Sequence, residues 1–315
     1  MDKRPTLIHI GYHKTGSTWF QKAFFPSFEN LYVVPQNLST SLFVFPSSFS
    51  FDASSTAEHL WHLTEEAECQ SMVVSNEELS GNIHSGGNGG YVAKEVAERL
   101  YQTFGADSQI LIFLRNQEDM IESSYRQYLK IGGTQKLHAY LNPPHESHRR
   151  PRFSLSHFEY DQLVSFYFQL FGKDHVHVFF YEDFKSDKDV VLRSIMQIMG
   201  FQSAWTGPNA AINQSHSRGA LKFLRIVNFI SHSSSLNDEM PLCFPIIGKI
   251  AHRWVLPMLN KWFSKHRKSF LDYELRQKIR LYYKNSNTRL TKTLSMTKES
   301  LAKRGYSVEF VEEGP

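Results

Sequence analysis

The run Ile8-His9-Ile10-Gly11-Tyr12-His13-Lys14-Thr15-Gly16-Ser17-Thr18-Trp19-Phe20-Gln21 carries an apolar strand through a glycine-bracketed turn into a helix. Gly11 and Gly16 let the backbone bend sharply and approach a ligand without interference from a Cβ atom. Pro26 limits the helix to about two turns. Three further runs rich in β-branched and aromatic residues read as buried strands beside Thr6 to Ile10: Met72 to Ser75, Gln109 to Leu114 and Val176 to Tyr181. Helical patterns lie between and after them. In Tyr91 to Phe104 the residues Val92, Val96, Leu100 and Phe104 fall four apart, and similar patterns cover Gln117 to Lys130, His157 to Phe171 and Asp187 to Met199. Strands alternating with helices predict an α/β fold with a central, mostly parallel sheet and a ligand crevice at the carboxyl ends of the strands.

Two loop stretches interrupt the pattern, Gly81 to Gly90 and Asn142 to Arg152, and from Gly219 onward the reading is mainly helical. The chain of 315 residues, with 41% apolar and 21% charged residues, is long enough for a sizeable core and too ordinary in composition for disorder or a fibrous fold. Its two cysteines, Cys69 and Cys243, cannot make a disulfide framework or a four-thiolate metal site, which suits a reducing compartment. Strand character begins at Leu7, which leaves no room for a leader, and a cytoplasmic protein is expected. Lys249 to Arg304 holds 15 Lys/Arg against 3 Asp/Glu, so the C-terminal part is basic and suggests an anionic ligand, acceptor or membrane surface.

The amides of Thr15 to Thr18 at a helix start, with the Lys14 ammonium beside them, make phosphate the natural occupant of the glycine turn. In the kinase and NTPase loop the lysine follows the second glycine, whereas here it precedes it. That order resembles the 5′-phosphosulfate loop of sulfotransferases that use 3′-phosphoadenosine 5′-phosphosulfate (PAPS), of which Lys14-Thr15-Gly16-Ser17-Thr18-Trp19 is a close variant. The strand Ile110 to Leu114 ends in Arg115, with Ser123 eight positions later, and this resembles the same family's 3′-phosphate motif. An arginine fork can hold two phosphate oxygens and a hydroxyl two turns on can donate one more bond. A P-loop kinase would instead need a carboxylate near a strand end to help hold magnesium.

The resemblance implies a P-loop-like sulfotransferase fold with a helical C-terminal region, in one domain over 1–315. The nucleotide core would span about 5–218, an acceptor or lid region about 219–270, and closing helices about 271–315. It extends through Phe171-Gly172 and the strand ending in Tyr181-Glu182-Asp183-Phe184, then Asn213-Gln214-Ser215, Arg218-Gly219 and Asn285-Ser286-Asn287. By resemblance, Lys14 stabilises the leaving group, Trp19 stacks on adenine, and Arg218 with Gly219 joins the nucleotide site. PAPS is the implied co-substrate, with no metal and no nucleic acid.

A general base is expected at the strand end Ser75-Asn76-Glu77-Glu78, with Glu77 first, Glu78 second, and His13, His9 and His84 in reserve; partial burial and neighbouring like charge would raise one carboxyl pKa. A glycan or glycolipid hydroxyl is the leading acceptor. Trp254, Leu256, Met258, Leu259, Trp262 and Phe263, mixed with Lys249, Arg253, Lys261 and Lys265, offer a peripheral membrane contact. A P-loop phosphotransferase and a non-catalytic nucleotide-binding protein remain the alternatives.

Overall fold

The computed structural model describes residues 6–84, 92–143, 153–201, 205, 207, 216–231, 244–263 and 269–310. Most of both loop stretches, together with Asn213, Gln214, Ser215 and Cys243, lies outside the described residues, as do the side chains of Lys249, Trp262, Phe263 and Lys265.

Strands β1 (Thr6–His9), β2 (Leu31–Val34), β3 (Ser71–Ser75), β4 (Gln109–Leu114) and β5 (Val176–Phe180) form one parallel sheet in the order β2-β3-β1-β4-β5. His9 stands opposite Ser75 on one side and Leu111 on the other. Since the chain leaves β1 toward β2 and β3 and later crosses to β4, the carboxyl end of β1 is the topological switch point, where a crevice opens.

Period-two alternation sorts the strand residues between two layers. Leu7, Val73, Leu111 and Phe113 pack with Phe20, Phe24, Phe25, Leu192 and Ile195. Ile8, Met72, Val74, Ile110 and Ile112 face the other way, against Val96, Leu100, Ile121, Val164 and Leu224. The β2 strand is a four-residue edge strand, half-buried at its middle, that the sequence reading missed, since an edge strand lacks the continuous burial that marks β1.

The first layer uses α1 (Ser17–Trp19), prolonged by a π turn to Phe24 and a 3-10 turn to Ser27, so the helical run ends one residue after Pro26. Next come α2 (Gln36–Ser39), α3 (Ala53–Glu66) and α4 (Ala93–Phe104). The central helix is α5 (Gln117–Lys130), whose N-cap Asn116 accepts from Asp119 N–H at 3.0 Å. Then follow α6 (Leu137–Leu141), α7 (Tyr160–Phe171), α8 (Tyr181–Ser186) and α9 (Lys188–Ile198). The C-terminal part is helical as expected: α10 (Arg218–Ser231), α11 (Pro245–Ile250), a π turn Ala251–Val255, α12 (Leu256–Phe263), α13 (Tyr273–Thr293) and α14 (Lys298–Lys303).

The start of α5 is fastened to the end of the chain. Gln117 and Asn287 exchange amide hydrogen bonds of 2.7 and 3.2 Å, which accounts for the Asn285-Ser286-Asn287 signal as a clasp. Glu118, the next residue and buried, accepts from Arg276 and Arg280 at 2.5 Å each. Removing the carboxylate takes from two neighbouring, partly exposed cations the anion that they share. Glu118→Ala is therefore expected to cost about 2–4 kcal/mol, read as a lowered urea midpoint at unchanged m-value.

Candidate active site

The glycine turn extends the β1–β4 ladder beyond the strand. Tyr12 N–H donates to Phe113 O at 3.0 Å and Phe113 N–H to Gly11 O at 2.7 Å, which ties the loop to the last residues of β4. Gly11 has φ +89°, and a Cβ there would stand 3.0 Å from the Glu77 Cα, so glycine is required twice over. Lys14 itself adopts φ +65°, the left-handed region, a conformation that costs a non-glycine residue on the order of 1–3 kcal/mol. Gly16, at φ +95°, delivers the chain into α1, where its carbonyl takes the first helical bond from Trp19 N–H at 2.8 Å. The amides of Ser17 and Thr18 therefore belong to the opening turn, whose N–H groups have no intrahelical acceptor.

Arg115 closes β4 and reaches this turn directly: its Nη1 donates to the Lys14 carbonyl at 3.0 Å. The guanidinium lies 4.9 Å over the Tyr181 ring and 3.8 Å from the Asp119 carboxylate, while its buried Nε has no partner. Tyr160 Oη donates to the Arg115 carbonyl at 2.7 Å, and Asn116 is held by Glu182, which accepts from its N–H and its side-chain amide at 2.9 Å each. Burial raises the Glu182 carboxyl above its usual range, against these hydrogen bonds. The acidic turn after β5 thus sets the strand end through Glu182, while its first residue, Tyr181, lies under the Arg115 guanidinium.

The Lys14 ammonium donates to Gln127 Oε1 at 2.9 Å. Along α5, Asp119, Ser123 and Gln127 are four apart and share one stripe, so Ser123 sits between the residue that meets Arg115 and the one that meets Lys14. Burial, then the nearby Lys130 and Arg115, lower the Lys14 pKa to about 8, against the opposing pull of Glu77. Both anion-motif residues therefore converge on one space. Gln127 and Tyr181 were missed in the sequence reading. The signal for Gln127 was present, since it continues the Arg115 to Ser123 spacing by one turn.

The carboxylates enter from β3. Asn76 is buried and donates to Gln36 O at 3.1 Å and to Thr40 Oγ1 at 2.8 Å, which locks the strand end and aims the next residue. Glu77 accepts from Gln21 Nε2 at 2.8 Å. Burial alone would raise its pKa, but His13, Gln21, its own amide and Ser17 outweigh that and hold it below the ordinary carboxylate value. This reverses the expected direction, because the neighbours of Glu77 are donors and not a second carboxylate. Glu78 is held by Asn82, with both oxygens 2.6 Å from Asn82 Nδ2.

His13 lies between these groups. Burial lowers its pKa, although Glu78 and Glu77 pull the other way, and its buried Nε2 has no partner. His84 and His157 are likewise pushed down to about 3 by burial and by His13, with unpartnered ring nitrogens. His9 is a core residue: its Nδ1 pairs with Ser75 Oγ at 2.8 Å, Phe20, Phe25 and Phe113 surround its ring, and burial takes it to about 4.

Two family-implied nucleotide residues point elsewhere. Trp19 is 7% exposed, packed on Phe20, Phe24, Phe184 and Trp205, with the Lys188 ammonium 3.3 Å over its ring. Arg218, next to Gly219 at the start of α10, donates to Ser269 O at 2.7 Å and lies over Phe270.

No protein-family model and no curated protein matches the chain. Among solved structures, a sulfotransferase from Alicyclobacillus acidocaldarius superposes with a TM-score of 0.57 at 16% identity, covering 95% of this chain and 99% of that one. Mouse sulfotransferase SULT7A1 complexed with PAP gives 0.43 at 11% identity, covering 95% and 88%. The sulfotransferase domain from the curacin biosynthetic pathway gives 0.41 at 13%, covering 94% and 99%. The first of these carries the assignment: the chain has the sulfotransferase α/β fold.

The crowded cations set a pH signature. The unfolded chain holds the Lys14 proton to about 10.5 and the folded chain only to about 8. Folding is therefore penalised in full below pH 8, and the penalty fades as pH rises to 10.5. Lys14→Met is expected to stabilise the ligand-free protein at pH 7 by up to about 3 kcal/mol, with the gain gone near the upper value, as denaturant titrations across that range would show.

Proposed function

We propose that this protein is a PAPS-dependent sulfotransferase, an enzyme that moves the sulfuryl group to an acceptor hydroxyl or amine. The observation that carries the reading is the Arg115 bond to the Lys14 carbonyl, since it joins two anion-binding motifs at the switch point of a sulfotransferase fold. The donor set fits a doubly phosphorylated adenosine. The opening-turn amides and Lys14 suit the 5′ end, while Arg115, with its unpartnered Nε, and Ser123 on the same helical stripe suit a 3′-phosphate.

PAPS supplies an electrophilic sulfur and a phosphate leaving group. The task of this chain is to neutralise charge that develops on the bridging oxygen and to take a proton from the acceptor. Lys14 does the first: its ammonium is preorganised by Gln127 and by the bent loop, so little reorganisation is needed during transfer. An incoming dianion restores the proton affinity that burial removes from this lysine.

Glu77 is the first candidate base and Glu78 the second. Glu77 is ionised at neutral pH and held by Gln21. The bare Nε2 of neutral His13 favours a second reading, in which the imidazole takes the proton and Glu77 steadies the resulting cation. Trp19 reaches adenine in this scheme only if Lys188 leaves its face. The segment 5–218 then binds the nucleotide, 219–270 borders the acceptor, and 271–315 braces the core. A glycan or glycolipid hydroxyl is the proposed acceptor, and the basic C-terminal part suits anionic surroundings.

Calorimetry with adenosine 3′,5′-bisphosphate and with ADP, with and without a chelator, tests the function. The bisphosphate is expected to bind at least about tenfold tighter and independently of chelator, and Arg115→Ala to lose about 10–100-fold on the bisphosphate while ADP changes little. Equal affinities, or magnesium-dependent ATP turnover, would favour the phosphotransferase. Bisphosphate binding without transfer to any acceptor would favour the non-catalytic protein.

Glu77→Gln and His13→Asn, followed over a pH series, separate the two bases. The true base loses turnover by about 100-fold or more together with the acidic limb of kcat/KM. That limb is expected below 4.5 for the carboxylate and below 6.5 for the imidazole, because both groups are shifted down.

A further inference from the structure

Beyond the crevice, α10 to α12 form a layer with two unlike faces. The inner face of α10 rests on α5, where Asn228 Nδ2 donates to Leu129 O at 2.8 Å and to Gly133 O at 2.9 Å, with Leu221 and Leu224 buried alongside. Phe244 N–H donates to Ile230 O at 2.8 Å, which brings the start of α11 to the end of α10, and α10 packs on both α11 and α12. Their outer faces are therefore one surface.

That surface is apolar. Ile226 is 62% exposed, Ile246 70%, Trp254 68% and Met258 61%, and Phe229 and Phe244 are more than half exposed. Leu256, grouped with the exposed residues in the sequence reading, is buried, and Leu259 packs on the core, because each points inward from the helix that carries Met258 outward. A large contiguous apolar patch marks a protein or membrane contact.

Charge decides between the two. Helices α10, α11 and α12 and the π turn between the last two carry Arg218, Lys222, Arg225, Lys249, Arg253 and Lys261 and no acidic residue; Asp238 and Glu239 fall in the linker at 232–243. Arg218 and Arg225 turn inward to Ser269 O and Thr134 O. Lys222, Arg253 and Lys261 are exposed, and Arg253 folds over the Trp254 ring at 5.8 Å. A second copy of this chain docked through the same face would set these cations against themselves. Exposed apolar residues on helices whose charged residues are all basic are instead matched by an anionic interface, where the apolar side chains enter the acyl boundary and the lysines and arginine reach the headgroups.

We infer that the outer face of α10 to α12 is a docking surface for an anionic lipid bilayer. It would bring the crevice beside α5 to a membrane-borne acceptor. This last consequence rests on the transfer reading, whereas the docking itself does not.

The test is sedimentation of the full chain, without nucleotide, with vesicles of phosphatidylcholine alone or mixed with phosphatidylserine. Binding to the anionic vesicles is expected to be at least about tenfold tighter and to weaken at high salt. Ile246→Ser combined with Trp254→Ser removes only exposed groups, and is expected to lower binding about tenfold at an unchanged melting temperature. Lys222→Glu with Arg253→Glu and Lys261→Glu should erase the preference for phosphatidylserine. No binding to either vesicle, equal binding to both, or a dimer in sedimentation velocity that the serine variant disperses would each overturn the inference. Adenosine bisphosphate affinity, measured separately on the same variants, reports on the transfer reading alone.

Discussion

The site depends on one hydrogen bond between like-charged residues: the Arg115 guanidinium donates to the main-chain carbonyl of Lys14. The bond uses the peptide dipole of Lys14 and so holds two cationic residues together without asking their charges to attract. It also captures a carbonyl displayed by the left-handed turn at Lys14, so the strained conformation and the second motif support each other. Lys130 adds a further positive field, against which Glu77 and Asp119 supply only partial compensation. A crevice arranged in this way is short of negative charge, and an oxyanion is the simplest group to supply it.

Around that bond, the first turns of α5 act as a row of fasteners. Asn116 is held by Glu182 after β5, Gln117 by Asn287 and Glu118 by Arg276 and Arg280 on α13, and Asp119 stands near Arg115. Farther along, Glu122 accepts from Phe270 N–H at 2.9 Å and ion-pairs with Arg126 at 2.7 Å, while Arg126 also donates to His216 O at 2.9 Å. Both ends of the excursion that carries α10 to α12 are thereby latched to the helix that presents Ser123 and Gln127. Position in the crevice and position of the outer apolar layer are consequences of the same helix.

The anion motifs were legible in the residues because their chemistry is local. A glycine-bracketed turn, a lysine ahead of the second glycine, and an arginine closing an apolar strand each declare themselves within a few positions. The other four strands and helix α5 were legible for a similar reason, since burial on a sheet or a helix writes its own pattern into the sequence. The base was less legible. The direction of the Glu77 shift depends on Gln21 and His13, which reach it through folding and not through adjacency to Glu78. The surroundings of Trp19, implied by resemblance to be an adenine platform, were not legible either, for it packs on Phe24, Phe184 and Trp205, the last far along the chain.

By itself the sequence determined the parallel α/β class, the glycine turn after the first strand, the arginine that closes a later one, and the basic balance of the C-terminal part, because each follows from residue type at short range. Only the tertiary structure decided that Arg115 meets Lys14, that Gln127 rather than a carboxylate receives the ammonium, and that α10 and α11 join their apolar faces outward. Those outcomes depend on which strands become neighbours and which helix faces the core consumes, and that competition for burial is settled over the whole chain at once.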